Sequence, residues 1–250
     1  MGFTVAVAGK GGTGKTTLCG LIIHLLVKKS LTPILAVDAD PNSNLNMLLG
    51  MDVSDTIADI REEFAAKNPG PGISKTEIFN MRIQDILSEG KGVDLLTMGR
   101  PEGPGCYCAV NNILRMYLDR LSSSYRYIVI DNEAGMEHLS RRTTRGVERL
   151  FITSNSSRVS LKSAKRIENI ARGISLKIEK IFIIFNQIFD PRLVEKHVKE
   201  ERIENFAGII PRDERLQEIS EDGRSLAHLP EDSVALKVVE KICAELGVFQ

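Results

Sequence analysis

Residues Gly9–Thr17 read GKGGTGKTT, and they follow the apolar run Thr4–Ala8, TVAVA, without a break. They satisfy the pattern G-x-x-x-x-G-K-[ST], with a buried-strand signal on one side and a helical pattern, Lys15–Lys28, on the other. Glycines bend such a loop until consecutive backbone N–H groups point inward at an anion, and the helix that follows adds the positive end of its dipole. The result is a phosphate cradle. Its backbone comes from Gly11, Gly12, Thr13 and Gly14; Lys15 meets the β- and γ-phosphates, Thr16 offers its hydroxyl to Mg²⁺, and Thr17 contacts the α-phosphate.

Outward from this loop, apolar runs of strand length alternate with helical patterns. Ile34–Val37, Val93–Thr97, Tyr127–Ile130, Leu150–Thr153, Ile181–Phe185 and Ala207–Ile210 read as further strands buried on both faces. Helical patterns cover Asn111–Leu121, Glu137–Gly146, Ser160–Arg172 and Ser233–Leu246. Strands joined by crossover helices give an α/β fold, a mostly parallel sheet flanked by helices on both faces, with ligands beyond the carboxyl ends of the strands. The expected organisation is a single domain over 1–250, with a turn-rich, helical insertion around 53–92 that contains NPGPGISK, Asn68–Lys75.

The balance of charge narrows the partners. Lys+Arg and Asp+Glu number 33 each, so no global field draws nucleic acid or an anionic membrane. The densest basic run, HLSRRTTRGVER, already contains Glu148, and the C-terminal SVALKVVEKICAELGVFQ is a mixed helix rather than a basic amphipathic anchor. No apolar run reaches the roughly 20 residues that span a bilayer, and the N-terminal GFTVAVAG lacks the basic flank of a secretory signal. A cytoplasmic protein with reduced thiols is expected, with neither nucleic acid nor membrane as partner.

Acids stand where the sheet would display them. Asp38 and Asp40 close the second strand in AVDADPNSNLN, and on an extended segment residues two apart share a face. Asp131 follows YIVI in YIVIDNEAG, a carboxylate at a strand tip able to accept from water bound to Mg²⁺.

KGGTGKT resembles the deviant Walker A box of the ParA, MinD and nitrogenase iron protein superfamily, dimeric ATPases of the SIMIBI class of P-loop NTPases. The resemblance implies that Lys10 reaches across a homodimer interface to phosphates held by the partner and acts in catalysis with Lys15. It also implies that Asp40 orients or activates the attacking water and that Asp38 helps organise Mg²⁺, with Asn44 near the metal. That superfamily usually carries D-[ST]-x-A-G after the Walker B strand. This chain has Asn132 and Glu133 in the intervening positions and keeps Asp131 and Gly135 in register. In relatives such as MinD the residues matching Asn186, Pro211 and Asp213 contact adenine. No N/T-K-x-D guanine signature is visible, so ATP/ADP is the expected nucleotide.

Of four cysteines, Cys19 and Cys243 lie in apolar helical patterns and read as core, and His24 as a packed or partly exposed residue. Cys106 and Cys108, in GPGCYCAV, fall in the loop region after the strand Val93–Thr97. Two thiolates half fill a tetrahedral site, and two chains related by a two-fold axis supply four. With this P-loop, the pair resembles the CooC-type ATPases that assist nickel insertion into carbon monoxide dehydrogenase. That resemblance implies nickel or zinc held across the dimer and a client metalloenzyme. Two rivals remain open: a reductase with an intersubunit iron–sulphur cluster, for which Cys106 matches one ligand but DNEAGMEHLS offers His138 and no second cysteine, and a positioning ATPase of the MinD or ParA kind.

Overall fold

A computed structural model of the chain describes residues 2–66, 82, 85–100, 106–133, 146–174 and 176–250, with the backbone alone at 64–66 and 106–109. Eight strands form one sheet: β1 (Phe3–Gly9), β2 (Ile34–Ala39), β3 (Leu87–Glu89), β4 (Val93–Thr97), β5 (Tyr127–Asn132), β6 (Val147–Ser154), β7 (Ile178–Ile188) and β8 (Phe206–Pro211). Their spatial order is β3-β4-β2-β5-β1-β6-β7-β8. All neighbours pair in parallel except β3, which runs antiparallel to β4 at the edge. The seven strands read from the sequence are all present. The eighth, β3, falls within the 53–92 stretch and has one apolar residue among LSE, too little periodicity to announce a strand.

The helices are α1 (Lys15–Lys28), α2 (Leu45–Leu49), α3 (Ile57–Ala66), α4 (Cys106–Leu121), α5 (Arg158–Gly173), α6 (Pro191–Glu200), α7 (Glu214–Glu221) and α8 (Val234–Glu245), with a 3-10 turn at Leu226–His228. Alternation along the buried strands divides the apolar residues between two layers. Ala6, Ala8, Leu35, Val37, Ile128 and Ile130 face a core completed by α3, α4 and α5. Val5, Val7, Ile34, Ala36 and Val129 face the other, completed chiefly by α1, α2, α7 and α8. Cys19 and Cys243 belong to this second core, as expected, and burial pushes both thiols up.

α1 is apolar nearly all round because it lies between the sheet and other elements: Leu18, Leu21, Ile22, Ile23, Leu25 and Leu26 are all buried. Such a helix cannot shift without opening the core, so its N-terminus, and the loop before it, are fixed relative to the strand ends. The expected helix Glu137–Gly146 lies mostly outside the described residues, as do Gly135 and His138. α4 begins five residues earlier than its apolar periodicity indicated. It places Cys106 and Cys108 in its first turn rather than in a loop. Among the described residues no helix is long and apolar enough to cross a membrane.

Candidate nucleotide and cation site

The loop between β1 and α1 is shaped by contacts that leave no room for side chains. Gly14, at the N-cap of α1, has φ 80°, and a Cβ there would stand 2.2 Å from Nδ2 of Asn186. Gly9 meets Thr153 as closely, at 2.3 Å from its Oγ1. Both glycines are therefore required by close approach as well as by backbone conformation. Thr13 tightens the turn: its hydroxyl donates to the Lys10 carbonyl at 2.7 Å and pairs with the Thr153 hydroxyl at 2.7 Å. Lys10, Gly11 and Gly12 are exposed, Thr16 and Thr17 are half-buried, and Lys15 is folded inward at 7% exposure. An exposed Lys10 beside an inward Lys15 is the distribution expected if one serves the chain's own ligand and the other points outward.

Behind the loop, β2 and β5 lie side by side with Asp38 in register with Asp131, and both are fully buried. Asp38 is held: one oxygen accepts from the Asp40 amide at 3.1 Å and the other from the Leu45 amide at 2.9 Å. Burial raises its pKa to about 6 against the pull of those amides. Burial likewise raises Asp131 to about 7; the Thr16 hydroxyl draws it back without reaching hydrogen-bond geometry, and the neighbouring Asp38 pushes it further up. Neither Asp131 oxygen has a hydrogen-bond partner among the described residues. Two buried carboxylates, one with both oxygens unsatisfied, beside a threonine hydroxyl fit a hard divalent cation. Asp38, Asp131 and Thr16 are the residues that would hold Mg²⁺, which supplies charge neutralisation for a polyphosphate when bound.

Asp40 departs from the expected arrangement. β2 ends at Ala39, so Asp40 sits in a turn and shares no strand face with Asp38. Its Oδ1 accepts from the backbone and side-chain nitrogens of Asn42 at 2.9 and 3.0 Å, an Asx turn that competes with extended backbone. Asn44 occupies the N-cap of α2 without a side-chain capping bond.

The base-binding expectation lands on a cavity of about 380 Å³ that opens beside Thr17 and collects Asn186, Pro211 and Asp213. Asn186 is also a brace, its Nδ2 donating to the Thr13 carbonyl at 3.0 Å. Asp213 is mainly structural: it accepts from the Arg215 and Leu216 amides as the N-cap of α7, and from the Ser233 hydroxyl at 2.6 Å and the Ala235 amide at the start of α8. Those bonds outweigh desolvation and hold its carboxyl below the usual range. Sequence reasoning missed Phe189 and Arg212 in the same cavity. Phe189 is 77% exposed, and the Arg212 guanidinium lies 4.7 Å from its ring centroid. An aromatic one residue after the apolar end of β7 was the available signal.

A parallel sheet, a P-loop packed under its central strands and acidic strand tips beside it define a P-loop ATPase. Residues 4–226 match the family described as the CobQ/CobB/MinD/ParA nucleotide binding domain, and the chain belongs to that family. It is 42% identical over 248 residues to an ATP-binding protein of Methanocaldococcus jannaschii, covering 97% of each chain. It is 31% identical over 236 residues to the carbon monoxide dehydrogenase accessory protein CooC of Rhodospirillum rubrum, covering 88% of each. Among solved structures, the MinD protein of Pyrococcus horikoshii complexed with Mg-ADP superposes with a TM-score of 0.72 at 19% identity, over 98% of this chain and 96% of that one.

Proposed function

We propose that the chain is a homodimeric Mg²⁺-dependent ATPase that couples its nucleotide state to the binding and delivery of a thiophilic metal, nickel or zinc, to a client of the carbon monoxide dehydrogenase kind. The observation that carries this reading is the similarity to the CooC accessory protein over 88% of each chain together with the C-x-C pair at Cys106 and Cys108. Their placement supports it in part. α4 follows β4, and the Met98 amide at the end of β4 donates to the Asp38 carbonyl at 2.8 Å. The strand that precedes the cysteine helix in the chain is therefore tied to the strand that carries the buried acid. If metal binding favours one dimer geometry, nucleotide and metal must shift each other's affinity by the same factor.

The thiols themselves lie outside the described residues. Titration of nickel and zinc into the wild type and into a Cys106→Ala/Cys108→Ala variant, each with and without ATP, tests the reading. The double variant is expected to lose about one ion per dimer, and an unchanged titration rules the thiol site out.

Dimerisation is tested apart from the metal. Lys10 is exposed at the tip of the loop, where a partner's phosphates could be reached. On a sizing column, Lys10→Ala is expected to remain monomeric with ATP and Mg²⁺ while the wild type pairs. ATP-dependent dimers in that variant would refute the cross-subunit role.

A further inference from the structure

The buried acids belong to a longer polar row. In the β2–β4 ladder Asp38 is in register with Thr97, and in the β2–β5 ladder it is in register with Asp131. Register partners on adjacent parallel strands stand roughly 4.8 Å apart and present their side chains to the same face. Thr97, Asp38 and Asp131 therefore line up across three neighbouring strand ends, in phase with Leu95, Ala36 and Val129 of the core that α1 and α2 cover. All three are buried, at 2%, 0% and 0% exposure. One more step along the row, β1 pairs Val7 with Asp131, which brings it to the strand that feeds the P-loop.

Thr97 is the member that packing does not explain. Its Oγ1 has no hydrogen-bond partner among the described residues. A buried hydroxyl left in that state is a cost that valine, with the same shape, would avoid. Of the other two members, Asp131 also has both oxygens unpartnered among the described residues, while Asp38 has both oxygens engaged by amides. The orphaned hydroxyl thus stands on the far side of Asp38 from the orphaned carboxylate. Both lie on the face where a hydrated cation would be held, and Mg²⁺ keeps several of its waters when it binds protein.

We propose that Thr97 is a positioning residue of the cation site: its hydroxyl anchors a water that hydrogen-bonds to Asp38 and fixes that carboxylate toward the hydration shell of nucleotide-bound Mg²⁺. The inference rests on the Mg²⁺–nucleotide part of the reading above and is independent of nickel, zinc and the cysteines. A buried water typically makes about three hydrogen bonds; Thr97 and Asp38 supply two, and the hydration shell of the cation supplies the third, so the water is held only in the loaded state. The arrangement trades stability in the metal-free state for order in the loaded one.

The test uses the full chain as Thr97→Val and Thr97→Ser. Without metal, in EDTA, Thr97→Val is expected to melt about 2–6 °C above the wild type, because the unsatisfied hydroxyl is gone and the shape is kept. Its ADP affinity in EDTA is expected to match the wild type. With ADP present, calorimetric titration of Mg²⁺ is expected to show a midpoint raised about tenfold in Thr97→Val, the loss of one water-mediated hydrogen bond, and close to wild type in Thr97→Ser. A midpoint within about twofold of the wild type in Thr97→Val, on the same scale, overturns the proposal whatever the melting temperature does. So does a Thr97→Ser midpoint as high as that of the valine variant, which would show that a hydroxyl at this position is not what sets the cation affinity. Failure of the wild type itself to bind ADP more tightly with Mg²⁺ would instead strike the nucleotide-site reading.

Discussion

Lys15→Ala is expected to slow ATP turnover by roughly 100- to 1,000-fold, the effect of removing one preorganised charge from a site where negative charge develops, about 2.7–4 kcal/mol. The structure gives two reasons for placing the largest loss here. Lys15 opens α1 at the dipole's positive end and is 7% exposed, so its charge acts where water is largely excluded. It is also the cation that counters the buried carboxylates, since its charge draws the Asp131 pKa down. Alanine removes both actions together. Steady-state phosphate release, measured beside a thermal melt that confirms folding, checks it; turnover within about threefold of the wild type would remove Lys15 from the catalytic machinery. Lys15→Arg is a sharper variant, because it keeps the charge but replaces a compact ammonium with a planar fork at a position that is only 7% exposed. It is expected to recover little of the rate.

What could be read in advance follows from where local signals and function coincide. The P-loop and α1 were legible to the residue because glycine, lysine and threonine punctuate that segment for chemical reasons that act within a single turn. The buried strands were legible because parallel strands covered on both faces are apolar throughout. α6 was missed although Asp190 followed by Pro191 is an N-cap and first-turn signal, and Asp190 accepts from the Arg192 amide as that signal requires. Its polar outer face masked the buried Val194 and His197. Asp213 is expected from the sequence to contact the base, and the structure places it in the cavity lining while its four hydrogen bonds also make it a joint cap for α7 and α8. Capping and ligand recognition use the same residue types, and sequence alone does not separate them. The row formed by Thr97, Asp38 and Asp131 depends on which strands are neighbours and in what register. Those facts belong to the order β4-β2-β5, which no local pattern encodes.

The two buried carboxyls, Asp131 and Asp38, are expected to cost the metal-free protein stability as pH rises from about 4 to about 7, opposite in sign to the carboxylates such as Asp213 whose pKa is lowered. Asp131 and Asp38 sit at about 7 and about 6 in the fold, both raised by burial from 3.8. Below the unfolded value both states carry neutral carboxyls and no penalty arises. Between the unfolded and folded values the unfolded chain ionises first, so it binds fewer protons than the fold and stability falls with pH. Above the folded value the loss is complete. At 1.36 kcal/mol per unit, Asp131 alone accounts for roughly 4 kcal/mol, on the order of 10 °C in melting temperature. Melts in EDTA at pH 5.5 and pH 8 sample about half of it, roughly 2 kcal/mol, with Asp131→Asn expected to remove the larger share of the decline; an equal decline in that variant would show that the carboxylate is not the source. ADP with Mg²⁺ is expected to invert the trend, because a cation selects the ionised carboxylates and its affinity grows as they deprotonate. The same burial that destabilises the metal-free chain at neutral pH leaves both Asp131 oxygens without a partner among the described residues, open to a cation bound there. Nucleotide and cation then bind against a smaller reorganisation cost than a solvated site would impose.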